Sequence, residues 1–160
     1  MTVTATVLGV CSAAEGFRPS DRITKNGLGT IQIGMTVSQI ADRSGRRPDV
    51  TYFNDRSCGT AKLGSKVYGM FSHGRLIRID VGTSRYRTRK GVHVRDTVKR
   101  VYARYGRRIS ARPHAYVPGG KYLRVTTRNR RIVFETNASG KVTSVVTGRI
   151  PEVDYVESCA

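Results

Sequence analysis

The sequence is poor in the residues that build metal sites and membrane spans. Its three cysteines, Cys11, Cys58 and Cys159, form no CxxC pair and have no neighbouring histidine pair, which excludes the usual zinc-binding patterns. No run approaches the roughly 18 apolar residues that a transmembrane helix needs. There is no tryptophan, and only 11 residues are acidic. What remains is a chain of 160 residues, 38% hydrophobic, which is enough for a modest core, and no metal or cofactor is predicted.

The sequence has an excess of positive charge. It contains 29 Lys and Arg, 22 of them Arg, and its net charge is +18. Residues 83–131 hold 16 of these cations and a single acid, Asp96, so this segment alone carries +15. Such a field favours a negatively charged partner. An Arg-rich solvated surface without a partner, as a GC-rich genome would produce, is the alternative.

The nucleophiles and titratable groups do not form a catalytic pattern. His73, His93 and His114 lie about 20 residues apart and make no HxxxH or HExxH motif. Cys58 is close to Arg56, a basic residue that could lower its pKa, but no motif supplies a base for it. The glycines near Pro118 lack the spacing of a phosphate-binding loop. We therefore expect a protein that binds rather than catalyses.

Residues 1–23 are predicted to be a leader. Thr2 to Ala14 are small and apolar, and Ser12-Ala13-Ala14 has the small residues that signal peptidase accepts. However, no cation precedes Arg18, so the positively charged start of a signal peptide is missing. Export to the cell envelope or medium is the leading prediction. A cytoplasmic protein follows if the leader is instead a strand or a disordered segment.

Cys58 and Cys159 are a candidate disulfide in an exported protein. The bridge would close a loop of about 100 residues, which the chain-entropy model values at about 4.7 kcal/mol. Two buried free thiols are the alternative. The acidic residues of the closing stretch 151–157 alternate as in an exposed strand, which predicts a solvated edge.

The sequence matches itself at two offsets. Shifting it by 61 residues places Thr36-Val37-x-x-Ile40-x-x-Arg43-x-Gly45 on Thr97-Val98-x-x-Val101-x-x-Arg104-x-Gly106. Each segment predicts a helix with one apolar face and a glycine stop, with Thr36 as the N-cap of the first and Asp96 or Thr97 as the N-cap of the second.

A shift by 66 residues places 67–82 on 133–148, including Gly74 on Gly140 and Gly82 on Gly148. Both segments predict β-hairpins. Strands are expected near 49–54, 65–71, 75–82, 114–117, 121–127, 131–136 and 141–148.

The matches predict an α+β fold built as a tandem repeat. Each unit is a helix followed by an antiparallel β-meander, with the helices packed on one face of the sheet. Unit 1 spans 24–84 and unit 2 spans 85–160. Each unit is small for a stable core, so the two should pack together.

The run Gly29-Thr-Ile-Gln-Ile-Gly-Met-Thr-Val37, opening a helix, resembles the β-lactamase inhibitor protein fold and its relatives, among them small outer-membrane assembly lipoproteins. The closing stretch 148–159 also looks like the end of small secreted actinobacterial proteins of unassigned function. The resemblance implies an exported, non-enzymatic protein that presents a sheet surface to another macromolecule. It carries over no contact residue, because this chain lacks the inhibitor's aromatic surface and its disulfide within each repeat.

Nine residues of the second unit are predicted to bind. Six belong to the second helix and its end: Arg95, Lys99, Arg100, Arg104, Arg107 and Arg108. Three share one parity in the following strand, opposite Leu123 and Val125, and should point from one sheet face: Tyr122, Arg124 and Arg128. Arginine grips phosphate or carboxylate with two parallel hydrogen bonds, and tyrosine can stack.

Two functional hypotheses follow. The first is an exported inhibitor or envelope accessory factor that binds an acidic protein or an anionic envelope polymer. The second is a nucleic-acid-binding protein that uses the Arg-rich segment 83–131.

Overall fold

The structure is a computed structural model, and it describes residues 16–53 and 55–159. In chain order its elements are β1 (Arg22–Thr24), β2 (Gly27–Leu28), β3 (Ile31–Gln32), α1 (Val37–Ser44), β4 (Thr51–Phe53), β5 (Cys58–Gly64), β6 (Val67–Ser72), β7 (Arg75–Val81), β8 (Arg87–Thr88), α2 (Val98–Tyr105), β9 (Ile109–Pro113), β10 (Lys121–Thr127), β11 (Arg130–Thr136) and β12 (Val142–Arg149). Single 3-10 turns cover Gly106–Arg108 and Glu152–Asp154. The predicted signal peptide lies outside the described residues.

Eight strands form the main sheet in the order β4-β5-β6-β7-β12-β11-β10-β9, and all neighbours are antiparallel. The first four strands after α1, β4 to β7, are adjacent in sequence order, and so are the four that follow α2. The two groups meet where β7 pairs with β12, with Ile79 opposite Thr147 and Arg78 opposite Gly148. One continuous sheet therefore carries both halves of the chain.

The two faces of this sheet have different surroundings. The helix-side face holds the larger core, in which Phe71, Ile79, Leu123 and Phe134 are fully buried. The outer face holds a smaller cluster of Val133, Val146 and Val153. Because successive side chains of a strand point to opposite faces, residues of one strand are divided between these two environments.

Both helices contribute to the larger core. Ile40 of α1 and Val101 of α2 are buried in it, and the Tyr105 ring lies 5.3 Å from the Phe134 ring. Thr36 caps α1 in a capping box with Gln39. Thr97 caps α2 by accepting the backbone N–H of Arg100 at 3.1 Å. The predicted helices and their threonine caps are therefore confirmed.

A small second sheet joins the start of the chain to its middle. Its order is β3-β2-β1-β8, and β1 pairs with β8 in parallel. Ile23 is fully buried, Phe17 packs edge-on against Tyr86, and the Thr147 hydroxyl donates to the Thr24 carbonyl at 2.7 Å. These contacts tie residues 16–32 to the chain beyond residue 84. The predicted boundaries of the leader and of the two units stay predictions.

The α+β class with an antiparallel sheet is confirmed, but some strand predictions are wrong. Residues 114–117 form a loop, because the His114 ring accepts the backbone N–H groups of Tyr116 and Val117 and Pro118 follows. The strand there is β9, whose mostly exposed residues and terminal Pro113 hide its signal. β5 was missed because it begins with Cys-Gly and ends in glycine, which is unfavourable strand composition.

The closing stretch is not the exposed strand that its alternation predicts. We call residues 150–159 the C-terminal strap, and Val153 within its 3-10 turn is buried against the outer face. Within the part of the chain that the structure describes, no helix has the length and apolar character required to span a bilayer.

Candidate functional site

The six predicted residues of the second helix and its flanks, which we call the α2 cation group, are largely exposed. Val101 and Tyr105 fix the orientation of α2 by burying its apolar side, so Lys99 and Arg104 face solvent. The exposed Arg107 and Arg108 extend the group through the 3-10 turn. The structure therefore brings these six predicted residues together.

Counter-charge within the α2 cation group is limited to Asp96. Its carboxylate accepts the Arg100 Nε–H at 3.1 Å and the backbone N–H of His93 at 2.9 Å. Within residues 16–53 and 55–159, no carboxylate lies within ion-pair distance of the other five cations. Repulsion between them is therefore relieved mainly by water and salt ions.

The structure separates the three strand residues from the α2 cation group. Tyr122 and Arg124 point to the outer face, as their parity predicts, whereas α2 packs on the helix-side face. Arg128 does not continue that face, because β10 ends at Thr127 and Arg128 lies in the hairpin turn with φ of 54°. The nine predicted residues therefore do not form one surface.

Arg124 is also not the open surface residue that the sequence suggests, since it is only 9% exposed. The C-terminal strap covers part of the outer face, and Tyr122 packs against the cluster that contains Val153. The Tyr122 ring is itself stacked on the His114 ring, with centroids 4.5 Å apart.

Three arginines hold the strap on the sheet. Arg78 is 5% exposed, donates from Nε to both carboxylate oxygens of Asp80 at 3.0 Å, and also donates to the Tyr155 carbonyl. Arg131 pairs with Asp154, and Arg149 pairs with Glu152. Two of the acidic residues that were predicted to form a solvated edge, Glu152 and Asp154, are thus ion-pair partners for arginines of the sheet.

A disulfide closes the end of the strap. Cys58 and Cys159 are bonded, with their Cα atoms 5.5 Å apart and a separation of 101 positions in sequence. This confirms the predicted pairing and rules out the two free thiols. Cys58 therefore has no thiol to act as a nucleophile in this form of the protein.

A cavity of about 230 Å³ lies between the outer face and the strap. We call it the outer-face cavity. Its sheet side is formed by Tyr122, Arg124, Val133 and Glu135, and its strap side includes Val153. Burial raises the pKa of Glu135, with Asp80 raising it further and Arg78 and His114 opposing the shift.

Sequence reasoning missed Glu135, Arg112 and the strap as parts of this site. Register places Arg112 opposite Tyr122, and Tyr122 opposite Glu135. The alternation of β11 could have placed Glu135 beside Tyr122, but nothing local predicts that residues 150–159 cover them. The three histidines are not brought together, and no potential metal-binding cluster is found among the described residues.

Comparison with solved structures shows what this fold is similar to. The uncharacterized protein yfeY from Escherichia coli superposes with a TM-score of 0.57 at 14% identity, covering 80% of this chain and 99% of that one. An extracellular protein with an SCP domain from Bacillus anthracis gives a TM-score of 0.54 at 7% identity, covering 94% of this chain and 50% of that one.

A cysteine-rich secretory protein from Staphylococcus aureus gives a TM-score of 0.51 at 13% identity, covering 91% of this chain and 52% of that one. The chain thus spans about half the length of these last two proteins. No protein-family model matches the sequence, and no curated protein does. At such low identity the likeness shows a shared fold only.

Proposed function

We propose that this is an exported, non-enzymatic binding protein whose α2 cation group holds an acidic protein or an anionic envelope polymer. The observation that carries the proposal is the set of five exposed cations on and around α2 that lack a carboxylate partner among the described residues. A cluster of exposed cations of this kind attracts a partner with repeated negative charges, because each contact displaces counterions.

Export is supported by the disulfide between Cys58 and Cys159, since such bridges persist in oxidising compartments. Two of the similar structures are described as extracellular or secretory, which agrees with this location. The location, like the resemblance to β-lactamase inhibitor proteins, is part of the proposal.

A tandem repeat would explain how the charge came to be divided between the halves of the chain. In each half a helix precedes four consecutive strands, and β7 meets β12 at the centre of the sheet. We interpret the halves as two copies of one unit. Residues 24–82 carry +5 against +15 for 83–131, so the second copy is the one adapted to bind an anion.

A matched pair of variants tests whether α2 itself binds. The α2 variant neutralises three exposed cations: Arg104→Gln, Arg107→Gln and Arg108→Gln. The control variant neutralises three exposed cations at the equivalent end of α1: Arg43→Gln, Arg46→Gln and Arg47→Gln. Both variants lose the same total charge and one cation from the last helical turn, so they are matched in charge and differ in position.

The probes are polyglutamate, for an acidic protein, and lipoteichoic acid, for an envelope polymer, titrated by calorimetry at physiological salt. We expect the α2 variant to bind at least one of them about tenfold or more weakly than the unmodified protein, and the control to stay within about threefold, since each lost contact removes a counterion-release contribution. Equal weakening by both variants would mean that binding depends on net charge alone, which would contradict the proposal.

Nucleic acid is the second candidate, and the +15 of residues 83–131 favours it. Duplex DNA and single-stranded RNA are titrated with the same two variants. Nucleic acid becomes the favoured partner if three results are found together. The protein must bind nucleic acid more tightly than either polymer, its affinity must fall log-linearly with salt, and it must distinguish sequences or structures. Weak binding without preference would indicate generic electrostatics.

A further inference from the structure

The outer-face cavity contains a buried guanidinium group that lacks a complete set of partners. Arg124 is 9% exposed, and within residues 16–53 and 55–159 its only hydrogen bond to another side chain goes from Nη2 to the Ser110 hydroxyl at 3.2 Å. Its Nε is buried and makes no hydrogen bond to any described residue. Leaving a charged donor unpaired in the interior is costly, so such a group usually has a partner.

Arg78, on the same face, shows how the protein satisfies a buried guanidinium when the partner is internal. It is held by the Asp80 carboxylate and by strap carbonyls. Arg124 has no equivalent. Among the described residues no carboxylate lies within ion-pair distance of it, and Asp154, which also lines the cavity, is taken by Arg131.

The surroundings of Arg124 add positive charge rather than cancel it. Burial lowers the pKa of Arg124, and the charge of Arg112 lowers it further. Arg112 lines the same cavity and is exposed, so it lies on the side open to solvent. The one unpaired carboxyl in the lining, Glu135, has a raised pKa because of its burial, which weakens its ability to serve as the counter-ion.

Apart from the hydroxyls of Tyr122 and Tyr155, the rest of the lining is apolar. Val133 on the sheet and Val153 on the strap line the cavity with Arg124, and Val156, which is 47% exposed, borders it. At about 230 Å³ the cavity exceeds the ~150 Å³ that accommodates benzene. It is below the range of about 300 Å³ and more that drug-sized ligands occupy.

We propose that the outer-face cavity binds a small organic monocarboxylate with a compact apolar body, its carboxylate on the Arg124 guanidinium and its body between Val133, Val153 and Val156. A carboxylate supplies the counter-charge that Arg124 lacks among the described residues, placing one negative charge beside two arginines. Inorganic phosphate would supply the charge but has no apolar group to contact the valines of the cavity. This site is on the opposite face from the α2 cation group, and it does not depend on the proposed function.

Benzoate is the first probe, titrated against the unmodified protein by two-dimensional NMR, with benzyl alcohol and inorganic phosphate as comparisons. We expect saturable shifts centred on Val133, Val153 and Val156 with benzoate, and at least about tenfold weaker binding of benzyl alcohol, because the charge-assisted bonds to Arg124 are lost. Phosphate should bind more weakly than benzoate. Equal affinity for benzoate and phosphate would mean that the cavity is only an inorganic anion site.

Variants then assign the interaction to Arg124. Arg124→Met should weaken benzoate binding by about tenfold or more, and Arg124→Lys should restore only part of it, because an ammonium group cannot form the parallel pair of hydrogen bonds. Arg128→Met is the control, since it removes an equal charge from the exposed turn of the same hairpin.

Three results would overturn the proposal: no saturable benzoate shift in the cavity, benzyl alcohol or phosphate binding as tightly as benzoate, or Arg124→Met binding benzoate as tightly as Arg128→Met does. If Arg124→Met does not fold, the comparison of benzoate with benzyl alcohol on the unmodified protein decides, because it needs no variant.

Discussion

Glu135 and Arg124 show how a single residue's environment can differ from what its type suggests. Both are charged residues on strands of the second half, and a sequence profile would place both in water. Both line the cavity beneath the strap, and burial raises the pKa of the carboxyl and lowers that of the guanidinium. Their surroundings therefore include residues 153–156, which no local pattern places beside them.

The raised pKa of Glu135 makes a prediction about stability and pH. The folded-state pKa lies above the unfolded value, so the unfolded protein releases this proton first and stability falls as pH rises through the interval between the two. The groups that act on it are Asp80 and Arg78 on β7 and His114 after β9. Glu135→Gln removes the buried charge without changing the shape of the side chain.

We expect Glu135→Gln to raise the free energy of unfolding at pH 7 and to leave it nearly unchanged at pH 4, where the native carboxyl is already neutral. Urea unfolding at the two pH values measures this difference. Asp42→Asn, at an exposed carboxyl of α1, is the control and should show no comparable gain at pH 7. The prediction is contradicted if the gain in unfolding free energy of Glu135→Gln over the unmodified protein is smaller at pH 7 than at pH 4.

Among the elements, the strap has the most consequences, since it covers the outer face and forms one wall of the cavity. It contains only one buried hydrophobic residue, Val153, and is held mainly by ion pairs and by the Cys58–Cys159 bond. Exposed ion pairs contribute little each, so the covalent link is the strongest constraint on its position.

Removing the disulfide should therefore destabilise the protein. In a Cys11→Ser background, which prevents exchange with the third thiol, the double variant Cys58→Ser/Cys159→Ser should lose about 3 to 5 kcal/mol of unfolding free energy, because the unfolded chain regains the entropy of a loop of about 100 residues. Chemical denaturation with and without reductant measures it. Reductant should lower the unfolding free energy of the Cys11→Ser parent to a similar value and leave the double variant unchanged.

The elements differed in how well the sequence predicted them. Both helices begin and end within a residue of the prediction, because their caps and apolar spacing are local signals. β5 and β9 were missed because pairing with neighbours, rather than composition, makes them strands. The strap was predicted as a strand because alternation over seven residues cannot distinguish an exposed edge from a covered turn.

At the scale of the whole molecule, the seam between β7 and β12 decides whether the two halves form one sheet. Gly148 lies opposite Arg78 there, and a Cβ at this position would be 2.7 Å from the Ile77 carbonyl oxygen. Backbone at that distance cannot give way without separating the strands. The glycine is thus required by the close approach of the halves.

Gly148→Ala should destabilise the protein by about 2 kcal/mol or more, in the range of overpacked interiors, and should weaken the seam. Gly82→Ala is the control, since a Cβ there meets Lys66 at an ordinary 3.6 Å. Its unfolding free energy should stay within about 0.5 kcal/mol of the unmodified protein. Thermal unfolding with hydrogen exchange at Ile79 and Thr147 reports both effects, and similar losses in the two variants would refute the role of the seam.

The sequence by itself determined the α+β class, both capped helices, most long strands and the concentration of charge around α2. These follow from short-range periodicity, turn residues and composition, which do not depend on distant parts of the chain. It offered the pairing of Cys58 with Cys159 as one of two alternatives, and the tertiary structure decided it. Only the tertiary structure decided that Tyr122 and Arg124 are separated from the α2 cations, and that the strap closes a cavity over Arg124 and Glu135. The physical reason is that strand parity assigns a residue to a face, whereas long-range packing decides what covers that face.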